Sequence, residues 1–341
     1  FHGPSLELQA IINLIVPPRS ARVAILGGGG MGKTSLARAV LHYPSVVAEQ
    51  PPTMHVCMSC LSYTLGCFTT NPLETGFLGP ELLNRHQAII HSKPVLLVLD
   101  NLETPWEPTT SRTKVEDFLA LLAGIDHVSL IITMRGAQRP DKVSWTYPFL
   151  PPLQPLSEEA AMQTFLDIAG DFHEPASVNE LLKLTDCMPL AIELVSNMAM
   201  DYEDCPRILQ KWDTERTALI SAGVNKSSSL DISITLSLAS PRLKAVPDAK
   251  VLLSILAVLP DGISNDDLLQ SKLPIHHPWA CKSGLLSTCL AYTVAKGRLK
   301  ALSPIRDHML QNFPPSLDAL LLLQHHFHAV LDVYTKYLGS M

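Results

Sequence analysis

The sequence predicts a parallel, doubly wound α/β domain of the P-loop type, followed by a helical part and then by helices with a β-wing. Three observations predict it. Short apolar runs alternate with stretches of helical periodicity, the first run opens into a glycine cluster that starts a helix, and beyond a proline-rich stretch helical periodicity continues, interrupted by one late hairpin. Leu8, Ile11, Ile12 and Ile15 share a helix face that Pro17-Pro18 ends. Val23-Ala24-Ile25-Leu26 reads as a buried strand entering the glycines, and Lys33–Leu41 as the helix behind them. A second strand is expected near His55–Ser59, a strongly buried one at Val95–Leu99 and another at Val128–Ile132, with Val115, Phe118, Leu119 and Leu122 forming a helix face between the last two. Tyr63 to Pro80, rich in Gly, Thr and Pro, is assigned no element.

Prolines 148, 151, 152 and 155 mark the first boundary, closing an α/β domain over 1–150. In the helical part, 151–225, Ser157 is an expected N-cap, Ser177 with Glu180 has capping-box spacing, and Pro189 suits a first helical turn. The Ser-rich stretch Gly223–Ser229 is the second boundary. Residues 226–312 read as three helices, a hairpin over Ala291–Leu302 turning at Lys296-Gly297, and a last helix, which is a winged-helix pattern. Residues 313–341 form one more apolar helix.

The chain has 341 residues, 47% hydrophobic and 17% charged, enough for a substantial core and too apolar for global disorder. No apolar run reaches the roughly 18 residues of a membrane span. The opening Phe1-His2-Gly3-Pro4 has neither a signal-peptide pattern nor a Met, so an excerpt of a longer chain is expected. Seven scattered cysteines suggest reduced intracellular thiols, hence a cytoplasmic location. The formal charge of −6 arises wholly beyond residue 150, a balance unfavourable for nucleic acid.

Gly27-Gly28-Gly29-Gly30-Met31-Gly32-Lys33-Thr34 matches G-x-x-x-x-G-K-[ST] in full, between a strand and a helix, with Ser35 next on that helix. Glycines let the backbone wrap a phosphate with its N–H groups inward, and the helix adds its positive end. Lys33 brings a full charge to the β/γ-phosphates and Thr34 a hydroxyl for Mg²⁺. The overlapping dinucleotide pattern Gly27-x-Gly29-x-x-Gly32 lacks an acid closing the second strand. Asp100, ending the run from Val95, is the expected second Mg²⁺ residue. Asn101 follows it; an amide accepts no proton from water, so fast hydrolysis is not expected, and a carboxylate there is expected to raise turnover. Glu103 is the alternative base. Arg135, at the tip of the Val128 strand, is placed to reach a terminal phosphate, or else to pair with a nearby acid.

Gly27–Thr34, Leu96–Asn101, Leu130–Arg135 and Cys187-Met188-Pro189-Leu190-Ala191 resemble, in order and spacing, the NB-ARC domain of the STAND class of P-loop ATPases. Leu99–Glu107 resembles the fungal branch, in which tetratricopeptide repeats usually follow. The resemblance covers about residues 1–312 and implies a switch closed with ADP and opening to oligomerise with ATP, at most a slow ATPase, whose helix after Pro315 leads toward repeats that bind protein partners. It implies phosphate binding by Gly27–Thr34, Mg²⁺ binding by Asp100, γ-phosphate sensing by Arg135 and packing of Pro189 on the base. It also implies an adenine-side role for Gly3, followed by Pro4 where Arg is usual, and puts Cys187 where Gly is usual. Ser303 stands where the family has a His that reaches ADP. A P-loop kinase, a constitutive ATPase and a degenerate nucleotide-binding scaffold are the competing readings.

Cys57, Cys60 and Cys67 with His55 lack a second ligand pair for zinc, and His325, His326 and His328 read as a solvated helix face.

Overall fold

The structure is a computed structural model that describes residues 5–16, 20–49, 55–59, 94–200, 204–215, 230–294 and 297–338. The chain divides into two compact units, 1–164 and 165–341. The expected Gly223–Ser229 boundary, the unassigned 63–80 stretch, Cys60, Cys67 and Gly3 lie outside the described residues.

In the first unit, α1 (Ser5–Ile15) precedes β1 (Arg22–Gly27), α2 (Lys33–Leu41), α3 (Pro44–Glu49) and β2 (His55–Ser59). Then come β3 (Val95–Asp100), α4 (Glu103–Trp106), α5 (Thr109–Ala123) and β4 (Val128–Arg135). The four strands form one parallel sheet in the order β1-β4-β3-β2. Parallel strands need covered faces, and Val23–Leu26, Val95–Leu99 and Leu130–Ile132 are unbroken apolar runs for that reason. Ala24 and Leu26 pack with Leu97, Leu99, Leu130 and Ile132 against Val115, Phe118, Leu119 and Leu122 of α5. The alternate residues Val23, Ile25 and Ile131 are buried as well.

Register carries the functional placement. Gly27 pairs with Arg135 across β1 and β4, and Leu99 with Ile132 across β3 and β4. The end of the glycine loop's strand, the acid of β3 and the arginine of β4 therefore share the carboxyl edge of the sheet, where open α/β sheets bind ligands. Beyond β4, Leu153 donates its N–H to Leu26 O at 2.8 Å and bridges Gly27 on the outer side of β1. A Cβ on Gly27, whose φ is 151°, would meet Leu153 N at 3.2 Å. Glycine there serves packing as well as any ligand.

α6 (Glu158–Ala169) spans the division between the units and is capped by Ser157, whose Oγ accepts from Ala160 N at 3.2 Å. The second unit continues with α7 (Pro175–Leu184), α8 (Pro189–Met200), α9 (Cys205–Glu215), α10 (Leu230–Leu238), α11 (Pro241–Lys244), α12 (Asp248–Ala257), α13 (Asn265–Gln270) and α14 (Pro278–Ser287). The antiparallel pair β5 (Tyr292–Thr293) and β6 (Leu299–Lys300) follows, then α15 (Ser303–Asn312) and α16 (Leu317–Leu338). α12 packs on α14 and α15, the winged-helix arrangement. Gly262, at φ 70°, lies so close to Leu299 O that a Cβ would sit 2.2 Å away, so the approach of β6 to the loop after α12 requires glycine.

Three local expectations are corrected. Ser177 does not cap a helix. Pro175 starts α7 two residues earlier, and the Ser177 hydroxyl, inside the first turn, donates to Glu174 Oε2 at 3.0 Å. Between residue 230 and the hairpin there are five helices rather than three. Ser240 and Ser264 cap two short additional ones by accepting from Leu243 N and Asp267 N. In α16, His326 is no solvated group but contacts Asp267 Oδ1 at 2.9 Å, while His325 and His328 are exposed. Among the described residues no helix is long and apolar enough to cross a membrane.

Candidate functional site

The site is built on the carboxyl edge of the first unit's sheet. β1 ends at Gly27, and α2 starts at Lys33 after a turn in which Gly30 and Gly32 both have φ of 76°. That left-handed region strains any residue with a Cβ. Gly32, the N-cap of α2, brings no side chain to that end, and the helix's positive end adjoins the glycine turn. Lys33 is buried, and its Nζ donates to Gly28 O at 2.6 Å and Gly27 O at 3.1 Å. The ammonium is thus folded back over the glycine turn, where a phosphate would compete with those carbonyls for it.

Thr34 projects from the same turn toward β3. Its Oγ1 donates to Asp100 Oδ1 and Oδ2 at 2.9 and 3.1 Å. Asp100, buried at 7% exposure, also accepts from Thr133 Oγ1 at 2.5 Å and from Asn101 Nδ2 at 3.0 Å. Burial strips a carboxylate of water, and these three donors replace that solvation. Thr34 and Asp100 offer a hydroxyl and a carboxylate side by side, a donor set that fits Mg²⁺, which takes few protein oxygens and completes its shell with water and phosphate. Cation binding would replace the Thr34 hydroxyl as Asp100's partner.

Asn101 does not face outward as an isolated amide. Its φ is 58°, its N–H donates to Thr133 Oγ1 at 3.0 Å, and its side chain is tied to Asp100. Thr133 is therefore a hub of the site that sequence reasoning missed. The available signal was a polar residue two before Arg135, after the apolar run Leu130–Ile132, hence on the same face. Glu103 and Arg135 are brought together: Arg135 Nε lies 3.2 Å from Glu103 Oε1, and Arg135 N–H donates to Glu103 Oε2 at 3.2 Å. Both oxygens of Glu103 face arginine, an arrangement for holding Arg135 rather than for taking a proton from water.

Pro189 opens α8 in the second unit, after a turn of unusual composition. α7 ends in a Schellman motif: Cys187 N–H donates to Leu182 O and Asp186 N–H to Lys183 O, both at 3.1 Å. Asp186 and Cys187 both have positive φ, 46° and 53°. The Asp186 carboxylate accepts from Ser303 N at 2.5 Å, capping α15. Asp186 is a second residue that the sequence did not single out. Burial, with Asp186 adding to it and Arg306 opposing, raises the pKa of the Tyr292 phenol beside this contact.

No family model matches the chain, and no curated protein is similar to it in sequence. Solved structures are similar in fold. A Walker-type ATPase of Pyrococcus abyssi superposes with a TM-score of 0.57 at 13% identity, over 91% of this chain and 96% of that one. A STAND protein with a tetratricopeptide-repeat sensor from Pyrococcus horikoshii matches 98% of this chain at 17% identity and a TM-score of 0.39. The chain spans 45% of that protein's length. The ORC1 protein of Aeropyrum pernix, solved in complex with DNA, has 13% identity and a TM-score of 0.40, over 90% and 92% of the two chains. A parallel α/β sheet carrying a glycine loop, followed by a helical region, is the fold that this chain shares with the Walker-type ATPase.

Proposed function

We propose that this chain is a nucleotide-dependent molecular switch of the NB-ARC kind, binding ADP and ATP with Mg²⁺. The observation that carries the reading is Asp100 beside Thr34 and Lys33 on one sheet edge, directly after the glycine turn. In this reading Gly27–Lys33 and Ser35 hold the phosphates, Thr34 and Asp100 the cation, and Arg135 the terminal phosphate. Pro189 and Gly3 are assigned to the base side, and Ser303 to contact with bound ADP, by resemblance alone. The bound cation would neutralise charge on the β/γ-phosphates.

Hydrolysis is proposed to be slow, below the ~10 s⁻¹ median of enzymes, because Asn101 and Glu103 are both engaged. The division into 1–150, 151–225, 226–312 and 313–341, a homo-oligomer in the ATP state, protein partners bound through following repeats, and a cytoplasmic location belong to the same proposal. Nucleic acid is not assigned as a ligand, on the formal charge of −6. One observation favours a nucleotide-binding scaffold as the second reading: the Ser303 N–H, where the family's His stands, is occupied by Asp186.

The test is isothermal titration of the protein with ADP and ATP in Mg²⁺. Wild type is expected to bind both. Lys33→Ala removes a charged donor contributing about 1.5–3 kcal/mol, so affinity is expected to fall roughly 10–150-fold. Unchanged affinity in the variant would remove the glycine loop as the site.

A further inference from the structure

Glu103 sits where a base would be sought, yet its two oxygens hold one residue, the arginine across the sheet from the glycine loop. Oε2 accepts the backbone N–H of Arg135 and Oε1 lies against its Nε, each at 3.2 Å. The carboxylate is buried and the guanidinium about three-quarters so. Glu103 is also rigidly presented. Leu102, fully buried, donates its N–H to Thr133 O at 3.0 Å, and Trp106 is anchored by Nε1 to Glu116 Oε1 at 3.0 Å. The segment between β3 and α5 is thus fastened at both ends of Glu103.

Arg135 in turn pairs in register with Gly27, whose carbonyl accepts from Lys33. Adjacent strands lie about 4.8 Å apart, so the guanidinium is within reach of a ligand on the glycine turn. An anion reaching for Arg135 meets a carboxylate already holding it. A diphosphate, which ends short of the third phosphate position, does not enter that competition, whereas a triphosphate does.

We propose that Glu103 is a positioning residue that sets discrimination between nucleoside di- and triphosphates, by holding Arg135 against the attraction of a terminal phosphate. This rests on the nucleotide-binding reading above. Glu103 contributes no proton transfer in it. The carboxylate instead lowers triphosphate affinity relative to diphosphate, and so favours the ADP-bound form of the switch.

The experiment is titration of ADP and of a non-hydrolysable ATP analogue, with Mg²⁺, into wild type, Glu103→Gln, Arg135→Gln and the double variant. Gln keeps the shape and still accepts the Arg135 N–H, but gives up the charge. A charged hydrogen-bonded pair that is partly exposed corresponds to roughly tenfold. Glu103→Gln is therefore expected to bind the analogue about tenfold more tightly, with ADP affinity unchanged.

Removing a negative charge near the site would by itself help a triphosphate, and the double variant separates the two causes. If Glu103 acts through Arg135, the gain vanishes in the Arg135→Gln background; a gain that persists there overturns the inference. Unchanged analogue affinity in Glu103→Gln overturns it as well. Should Glu103→Gln lose ADP, Glu103→Asp provides the second reading, because its shorter arm loosens the hold while keeping the charge. It is expected to gain analogue affinity, and no gain counts against the proposal. Wild type binding neither nucleotide defeats the nucleotide-binding reading itself, an outcome distinct from these.

Discussion

Asp100 shows how a motif that is local in sequence becomes a site only through register. Lys33, Thr34 and Asp100 were legible because each residue type has one chemical use at that spacing. Thr133 was not, because a threonine in an apolar strand reads as a β-branched filler until the pairing of β3 with β4 brings it to Asp100. The same geometry revises Asn101. A carboxylate at that position was expected to serve as a base, but the side chain there lies on Asp100 Oδ2. Asn101→Asp would exchange a donor for a like charge, and Asp tolerates the left-handed φ as Asn does. Stability without Mg²⁺ is expected to fall by about 1–3 kcal/mol, measured by urea unfolding. Phosphate release is expected to be no faster than wild type, and a tenfold gain in turnover would restore position 101 as a base.

At the scale of elements, the strands, α2, α5 and the hairpin were legible from periodicity, because buried parallel strands are continuously apolar and α5 shows its face at helical spacing. The short helices were not: Ser240 and Ser264 cap elements of only four and six residues, too short to show a period. The turn between α7 and α8 was legible only as a substitution of Cys187 for glycine. Its physics lies in Asp186, which is unfavourable there on two counts. It is left-handed, and it places a carboxylate at the negative end of α7. Capping α15 through Ser303 N offsets both. Asp186→Gly separates the local cost from the tertiary gain. Relief of the left-handed strain is worth about 1–2 kcal/mol. Loss of a charge-assisted cap costs about 1.5–3 kcal/mol. Net destabilisation of up to about 2 kcal/mol is expected by urea unfolding, with faster amide exchange at Ser303. A stabilised variant with unchanged exchange would reduce the contact to a coincidence of the turn. Asp186→Asn, which keeps an acceptor and tolerates the turn, is expected to fall between.

For the whole molecule, the phosphate-side residues all belong to the first compact unit, and Pro189, Asp186 and Ser303 to the second. Unfolding of such a chain need not be two-state, so a ligand's effect has to be located along the sequence rather than read from one midpoint. ADP at a hundred times its dissociation constant stabilises whatever it binds by about 2.7 kcal/mol. A full switch between states needs about 5.5 kcal/mol of differential affinity, more than that linkage supplies, so a partial response in the second unit is the expectation. The Asp186–Ser303 bond makes the form of that response specific. Because the turn before α8 is fastened to the first turn of α15, amide protection over 189–200 and over 303–309 is expected to change together when ADP with Mg²⁺ is added, alongside 27–36 in the glycine loop. Hydrogen exchange of the intact chain with ADP, with a non-hydrolysable ATP analogue and without nucleotide measures all three segments at once. A change confined to 27–36 would make the chain a passive nucleotide-bound scaffold. A change in 189–200 without 303–309 would show that the helical part responds independently of the winged helix, and that the carboxylate of Asp186 does not couple them.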